Sequence, residues 1–255
     1  MSRIQYQLKK RLYRLKTYRR KGFGIHSPFV FHLVTNVIEA KLNYYAFQQL
    51  SPCRDKAIQL LGKIGKKESG NSPFAKRYWE EEQEVKSGEA LDRLLFRLMN
   101  FSRSKTPAYF GGGLGLSIAY LAKVDSRINV SWIDREQDFK QVSDDFLQNQ
   151  IGVRNIRNLT LKDLNKVEEP FDFAVFSDNC TPELYQNIAA NCHKYFTNRC
   201  FVIVKDIYKN ENVNQFWLKL KEMDRFSVSF DLFHLGILIA KSGMQKQSYV
   251  MKYRF

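Results

Sequence analysis

Residues 107–123 read PAYFGGGLGLSIAYLAK, and the fold turns on them. Pro107 to Phe110 is a short apolar run that meets glycines at 111, 112, 113 and 115. Leu116 to Lys123 then suits a helix. A glycine-rich turn between strand and helix lets a ligand approach the backbone and presents the helix N-terminus to it. In an open α/β sheet, ligands bind at the carboxyl ends of the strands. The dinucleotide fingerprint GxGxxG fails in both registers, because its third glycine would fall on Leu116 or Ile118. The pattern present is GxGxG, at Gly111, Gly113 and Gly115. No GKS or GKT occurs, which excludes a P-loop. Asp134 closes the next apolar run, Val130 to Ile133, and a carboxylate there can accept both hydroxyls of a ribose. Without a ligand, the glycines would be a tight turn and Asp134 an ordinary helix cap.

Working outward, Leu91, Leu94, Leu95, Leu98 and Met99 mark one face of a helix before the turn. After it, strands are expected at 156–161, 171–176, 200–204 and 226–230, with helices at 136–150, from Pro182 to about Tyr195, and at 212–223. Gly236 to Ala240 and Ser248 to Tyr253 suit a closing hairpin. Alternating strands and helices imply an α/β fold with a parallel sheet covered on both faces. Residues 62–88 hold Gly62, Gly65, Gly70, Pro73 and Gly88 among charged residues and read as a loop or connection. The division is therefore a helical extension at 1–61, broken at Gly22-Phe23-Gly24 and Ser27-Pro28, a connection at 62–88, and a ligand-binding domain at 89–255.

The 255 residues are 44% hydrophobic, enough to bury a sizeable core. No apolar run is long enough for a transmembrane segment, and no apolar stretch follows the charged N-terminus as in a secretory signal. Cys53, Cys180, Cys192 and Cys200 form no CxxC pair and read as reduced thiols in a cytoplasmic protein. The net charge is +15, and nine Lys/Arg with no acid lie in residues 1–22. In that arm Ile4, Leu8, Leu12 and Leu15 recur at helical spacing. The favoured reading docks this stripe on its own domain or on a second copy, as a homodimer. Nucleic acid or an anionic surface contacted through residues 1–21 is the less favoured alternative.

Together LLFRLMN, YFGGGLGLSIAYLA, WID, FDFAVFSD, FVIVKDI and FDLFHLGILIA resemble the class I S-adenosylmethionine-dependent methyltransferases over about residues 89–255. The likeness is nearest the small-molecule O-methyltransferase branch. GFGIHSPFVFHLV at 22–34 is similar to a Bacteroidetes-type group with an added basic N-terminal region. The resemblance implies a Rossmann-like fold, a mostly parallel seven-stranded sheet with helices on both faces, plus the helical N-terminal extension. It implies S-adenosylmethionine as cofactor and a small-molecule methyl acceptor. Gly111, Gly112, Gly113 and Gly115 would line the methionine and ribose part, Asp134 the ribose hydroxyls, and Asp163 the adenine amine. Asp178 would face the transferable methyl.

Three departures from that pattern stand out. Tyr109 replaces the acid usual two residues before Gly111. Lys205 stands beside Asp206 where the cation-dependent branch has an acid, so no catalytic metal is expected. The run Asp178-Asn179-Cys180-Thr181 lacks the histidine often found there. The remaining candidate bases are Asp178, Asp206, His234 and His26, the last in a Gly/Pro-broken segment able to form a lid. Three functions stay open: a small-molecule methyltransferase acting at oxygen, a methyltransferase-like binding or scaffold module, and a nucleic-acid methyltransferase. Tyr109 and Lys205 favour the second. The absence of an Asn/Asp-Pro-Pro-Tyr/Phe motif counts against the third.

Overall fold

The computed structural model describes residues 3–17, 22–67 and 72–253. Its centre is one eight-stranded sheet, built where apolar runs are short and rich in β-branched and aromatic residues. Strands β1 (Pro107–Phe110), β2 (Val130–Ile133), β3 (Ile156–Leu159), β4 (Phe171–Phe176) and β5 (Phe196–Lys205) are parallel, in the order β3-β2-β1-β4-β5. Then β6 (Val228–Asp231) and β7 (Leu235–Ile239) extend the sheet, with β7 antiparallel between β5 and β6.

The eighth strand, β8 (Gln247–Val250), corrects the expected seven-stranded sheet and closing hairpin. It pairs in parallel with β6 rather than with β7. Both edges of β7 are already taken, so the returning chain finds its backbone partners on the outer edge of β6. Tyr249 stacks on Phe230 there, with ring centroids 5.2 Å apart.

Side chains alternate across the sheet and feed two cores. On one face Phe110 and Phe176 stack at 4.3 Å, covered by helices α8 (Pro182–Ala190), α9 (Cys192–Tyr195) and α10 (Glu211–Glu222). On the other face Tyr109 and Trp132 pack with α5 (Glu89–Ser102), α6 (Leu116–Ala122) and α7 (Gln137–Asp145). Each fully buried aromatic contributes roughly 1.5–3 kcal/mol of transfer free energy. The predicted stripe on α5 is buried, from Leu91 to Met99.

The N-terminal part holds α1 (Arg3–Lys16), α2 (Pro28–Leu33), α3 (Tyr45–Lys67) and α4 (Pro73–Ser87). Where described, the stretch expected as a loop at 62–88 is helical. Ser72 caps α4 by accepting the Ala75 N–H at 3.0 Å, and Pro73 occupies the first turn. The glycines of α3 sit within the helix, not in a turn, and a Cβ on Gly65 would meet Tyr78 Cβ of α4 at an ordinary contact distance of 3.7 Å. Gly70 lies outside the described residues.

The leucines of the arm do not dock on their own domain. Leu8, Leu12 and Leu15 are 57%, 47% and 83% exposed, so the apolar stripe points outward, and the side chain of Ile4 lies outside the described part. The opposite face of α1 docks instead. Tyr13 Oη donates to the carbonyls of Asp231 (2.6 Å) and Met251 (2.8 Å), and Lys9 Nζ lies 3.7 Å from the Tyr208 ring centroid. Tyrosine and lysine each bury an apolar body while satisfying a polar tip, which a leucine cannot do over carbonyls.

Candidate active site

The glycine turn leaves β1 with backbone angles that L side chains rarely adopt: φ is +106° at Gly111, +108° at Gly113 and +92° at Gly115. Below it, Trp132 Nε1 donates to the Gly111 carbonyl at 2.7 Å. Above it, protein side chains make the close approach that the glycines permit. A Cβ on Gly112 would lie 2.3 Å from Glu136 Cγ, and one on Gly113 would lie 2.6 Å from Glu81 Oε1. The Leu114 N–H donates to Glu81 Oε1 (2.8 Å), and the Gly112 N–H to Asn179 Oδ1 (3.3 Å).

These groups belong to one network laid over the turn by α4. Arg77 Nε donates to both oxygens of Glu136 at 3.1 Å, and Arg77 Nη2 reaches Glu81 Oε2 at 3.2 Å. Asn179 Nδ2 donates to Glu136 Oε1 at 2.6 Å. Tyr109, the residue that departs from the family pattern, is buried in β1 and lines the cavity beside the turn. Burial pushes its hydroxyl up to about 12, although Lys205 pulls the other way.

Beside the turn lies a cavity of about 260 Å3. Gly112, Gly115, Leu116 and Ser117 form one edge, and Glu81, Glu84 and Asp92 one wall. Tyr109, Lys205, Asp206, His234 and Lys10 close the rest. Asp92 is fixed by Arg54 (2.5 Å) and by the Ser117 hydroxyl, which donates to Oδ1 at 2.6 Å. Burial and the nearby Glu84 raise the Glu81 carboxyl to about 7, against the pull of Arg77. Burial would lower the Lys205 ammonium, but Tyr109 and the carboxylates of Glu84, Asp92 and Asp178 hold it well above its ordinary value.

The carboxylates at the strand ends have separate tasks. Asp206, just after β5, sits at φ +46° and contacts His234 Nδ1 at 2.7 Å. Burial would raise this carboxyl, but the His234 hydrogen bond, with Lys205 and Lys209, pulls it below the usual range. Tyr6 of α1 places its hydroxyl 3.3 Å from the same nitrogen. Asp178, after β4, is buried behind the cavity and ion-paired with Lys209, which also reaches Glu84 Oε1 at 3.2 Å. Burial and Glu84 raise Asp178, and its Oδ1 has no hydrogen-bond partner among the described residues.

The other expected residues are not gathered there. Asp134 is half-buried at the end of β2, at φ +57°, and does not line the cavity; burial and Glu183 raise its carboxyl. Asp163 is held by its own turn, accepting the Thr160 N–H (2.9 Å) and hydroxyl (2.7 Å). His26 is exposed in the turn before α2 and outside the cavity lining, and Ser27 caps that helix. Conversely, Arg77, Glu81, Glu84 and Glu136 were not singled out in the sequence. The Ser72-Pro73 helix start followed by acids at 81 and 84 was the available signal.

Among the described residues, no group of three or more His, Cys, Asp or Glu is placed to hold a metal ion, and no helix is long and apolar enough to cross a membrane. All four cysteines are free and buried.

No family model and no curated protein matches the sequence. Solved structures do match in shape. An O-methyltransferase from Bacillus cereus, in complex with SAH, superposes with a TM-score of 0.52 at 13% identity, covering 84% of this chain and 97% of that one. The SAH-bound methyltransferase PaMTH1 from Podospora anserina gives 0.51 at 10% identity, covering 85% and 99%. The strand order, the glycine turn after β1 and these likenesses agree: the chain has the Rossmann-like fold of the O-methyltransferases.

Proposed function

We propose that the chain is an S-adenosylmethionine-dependent methyltransferase of the cytoplasm, acting on a hydroxyl oxygen of a small molecule without a metal ion. The observation that carries this reading is the charged cavity beside the glycine turn, with the Asp206–His234 pair in its wall. Its lining suits the cofactor's charges. Glu81, Glu84 and Asp92 oppose an ammonium and a sulfonium, and Lys205 a carboxylate. Asp134 is the carboxylate for the ribose hydroxyls. The cavity is smaller than the roughly 300–1,000 Å3 of small-molecule sites. The adenosyl half therefore requires Glu136 and Arg77 to swing off Gly112.

When bound, S-adenosylmethionine supplies an electrophilic methyl group. The chain's own residues hold the acceptor in line, exclude water and move one proton. With Nδ1 of His234 engaged by the Asp206 carboxylate, Nε2 is the atom that takes the hydroxyl proton. Asp206 fixes that tautomer and offsets the charge that develops on the ring. Asp178 holds Lys209 and keeps negative charge at the end of β4, which suits a cationic donor. A protonated Lys205 at the sheet end repels a divalent cation and offers it no lone pair, in support of metal-free chemistry. The docking of Tyr6, Lys9, Lys10 and Tyr13 on the domain favours an intramolecular task for α1 over phosphate contacts with nucleic acid.

One observation favours the non-catalytic reading: Glu81 and Asn179 already take the N–H groups of the turn. Calorimetric titration with S-adenosylmethionine separates the two. Micromolar or tighter binding supports the enzyme. Its absence in both the intact chain and Glu136→Ala, which uncovers Gly112, rejects it.

A further inference from the structure

We infer that the methyl acceptor is an aromatic compound bearing an anionic group, carboxylate or phosphate, and that Lys10, Arg14 and Lys252 receive this group in a second cavity. Only the word acceptor rests on the methyltransferase reading; the anion site stands on its own geometry. The second cavity, of about 350 Å3, lies between α1 and the chain after β6 and β8. Among the described residues, three cations line it and no carboxylate does. Among the described residues, Arg14 and Lys252 have no acidic partner. Burial and the neighbouring Arg14 both lower the Lys10 ammonium, against the pull of Asp206 from the first cavity.

The walls are aromatic and fixed. Tyr13 and Phe233 meet edge to face at 5.1 Å. The Tyr13 hydroxyl is tied to two carbonyls, and Tyr253 Oη accepts from Arg97 Nη2 at 3.1 Å. Phe233 sits at φ +70°, a strained angle for a phenylalanine, kept by its N–H donating to Asp231 Oδ1 at 2.9 Å. Such planes suit a flat ring, and the lysines and the arginine suit its anion.

The two cavities share Lys10 and His234. A compound lying across that shared wall has its ring between the aromatics, its anion on the cations and its hydroxyl at His234. The site thus joins charge recognition to the proton-accepting group.

The test uses the full chain and three probes: 4-hydroxybenzoate, phenyl phosphate and phenol, titrated by calorimetry. At least one anion should bind at least tenfold more tightly than phenol. Arg14→Gln and Lys252→Gln should each weaken that anion about tenfold and leave phenol unchanged. Arg14 is exposed and Lys252 half-buried, and matching thermal unfolding of the variants checks that they fold. Equal binding of phenol and both anions, or no loss in the double variant, overturns the inference. S-adenosylmethionine is titrated in parallel. Anion preference without cofactor binding removes the methyltransferase reading and keeps the site; cofactor binding without anion preference does the reverse.

Discussion

The glycine turn has two sides of opposite character. Toward α5 and β5 it borders a cavity where acids and lysines face each other across open space. Toward Arg77 and Glu136 it is sealed, with Glu136 over Gly112 and Glu81 over Gly113 seated where a Cβ would collide. The same Cβ-less backbone thus serves two ends, bordering an open cavity on one side and taking an ion-pair cover on the other. A GxGxG turn therefore reports close approach, and its surroundings decide what approaches.

The contrast can be broken from the cavity side first. With methyl transfer established, His234→Asn should lower the rate by roughly 10²–10⁴-fold, about 3–5 kcal/mol, with cofactor affinity unchanged. A variant that keeps full turnover removes His234 as the base. Next, Arg54→Ala leaves Asp92 buried without its cation and should cost about 3 kcal/mol in urea unfolding. A loss near zero would mean that the cavity wall does not depend on that pair.

Gly113→Ala tests the sealed side. It combines φ +108° with a Cβ 2.6 Å from Glu81 Oε1, and should destabilise by about 1–3 kcal/mol. Gly152→Ala is the control, with φ +72° and nothing within 4 Å, and should cost less. Equal losses would show that backbone strain acts alone. Glu136→Ala should tighten S-adenosylmethionine binding about tenfold by uncovering Gly112. Weaker binding would place Glu136 among the groups that hold the cofactor.

The smallest effect is one of pH. Glu81 is raised from 4.5 to about 7 in the fold, so the folded state binds its proton more tightly than the unfolded chain does. Its favourable contribution is complete below about 4.5 and is lost as pH rises through about 7. Thermal stability should fall from pH 6 to pH 8 by on the order of 1 kcal/mol more in the native chain than in Glu81→Gln. Parallel pH profiles for the two would contradict the assignment.

Much of the sheet was legible because short apolar runs end abruptly. Pro107–Phe110, Val130–Ile133 and Phe171–Phe176 form at the expected residues, and Gly111, Gly113 and Gly115 all need positive φ. The cover of the site was not legible. Gly62 and Gly65 looked like loop punctuation, yet they lie inside α3. The leucines of α1 looked like a docking stripe, yet the tyrosines dock. Glu81 and Glu136 lie 55 positions apart and meet only because Arg77 bridges them over the turn.

By itself the sequence determined the layered fold and the position of the turn, since periodicity and glycine placement are local properties of the chain. Tertiary structure alone decided which side of the turn is open, that Asp206 faces His234, and that Lys10 joins two cavities. Those relations depend on distances between segments remote in sequence, and on the burial that turns a surface charge into a committed partner.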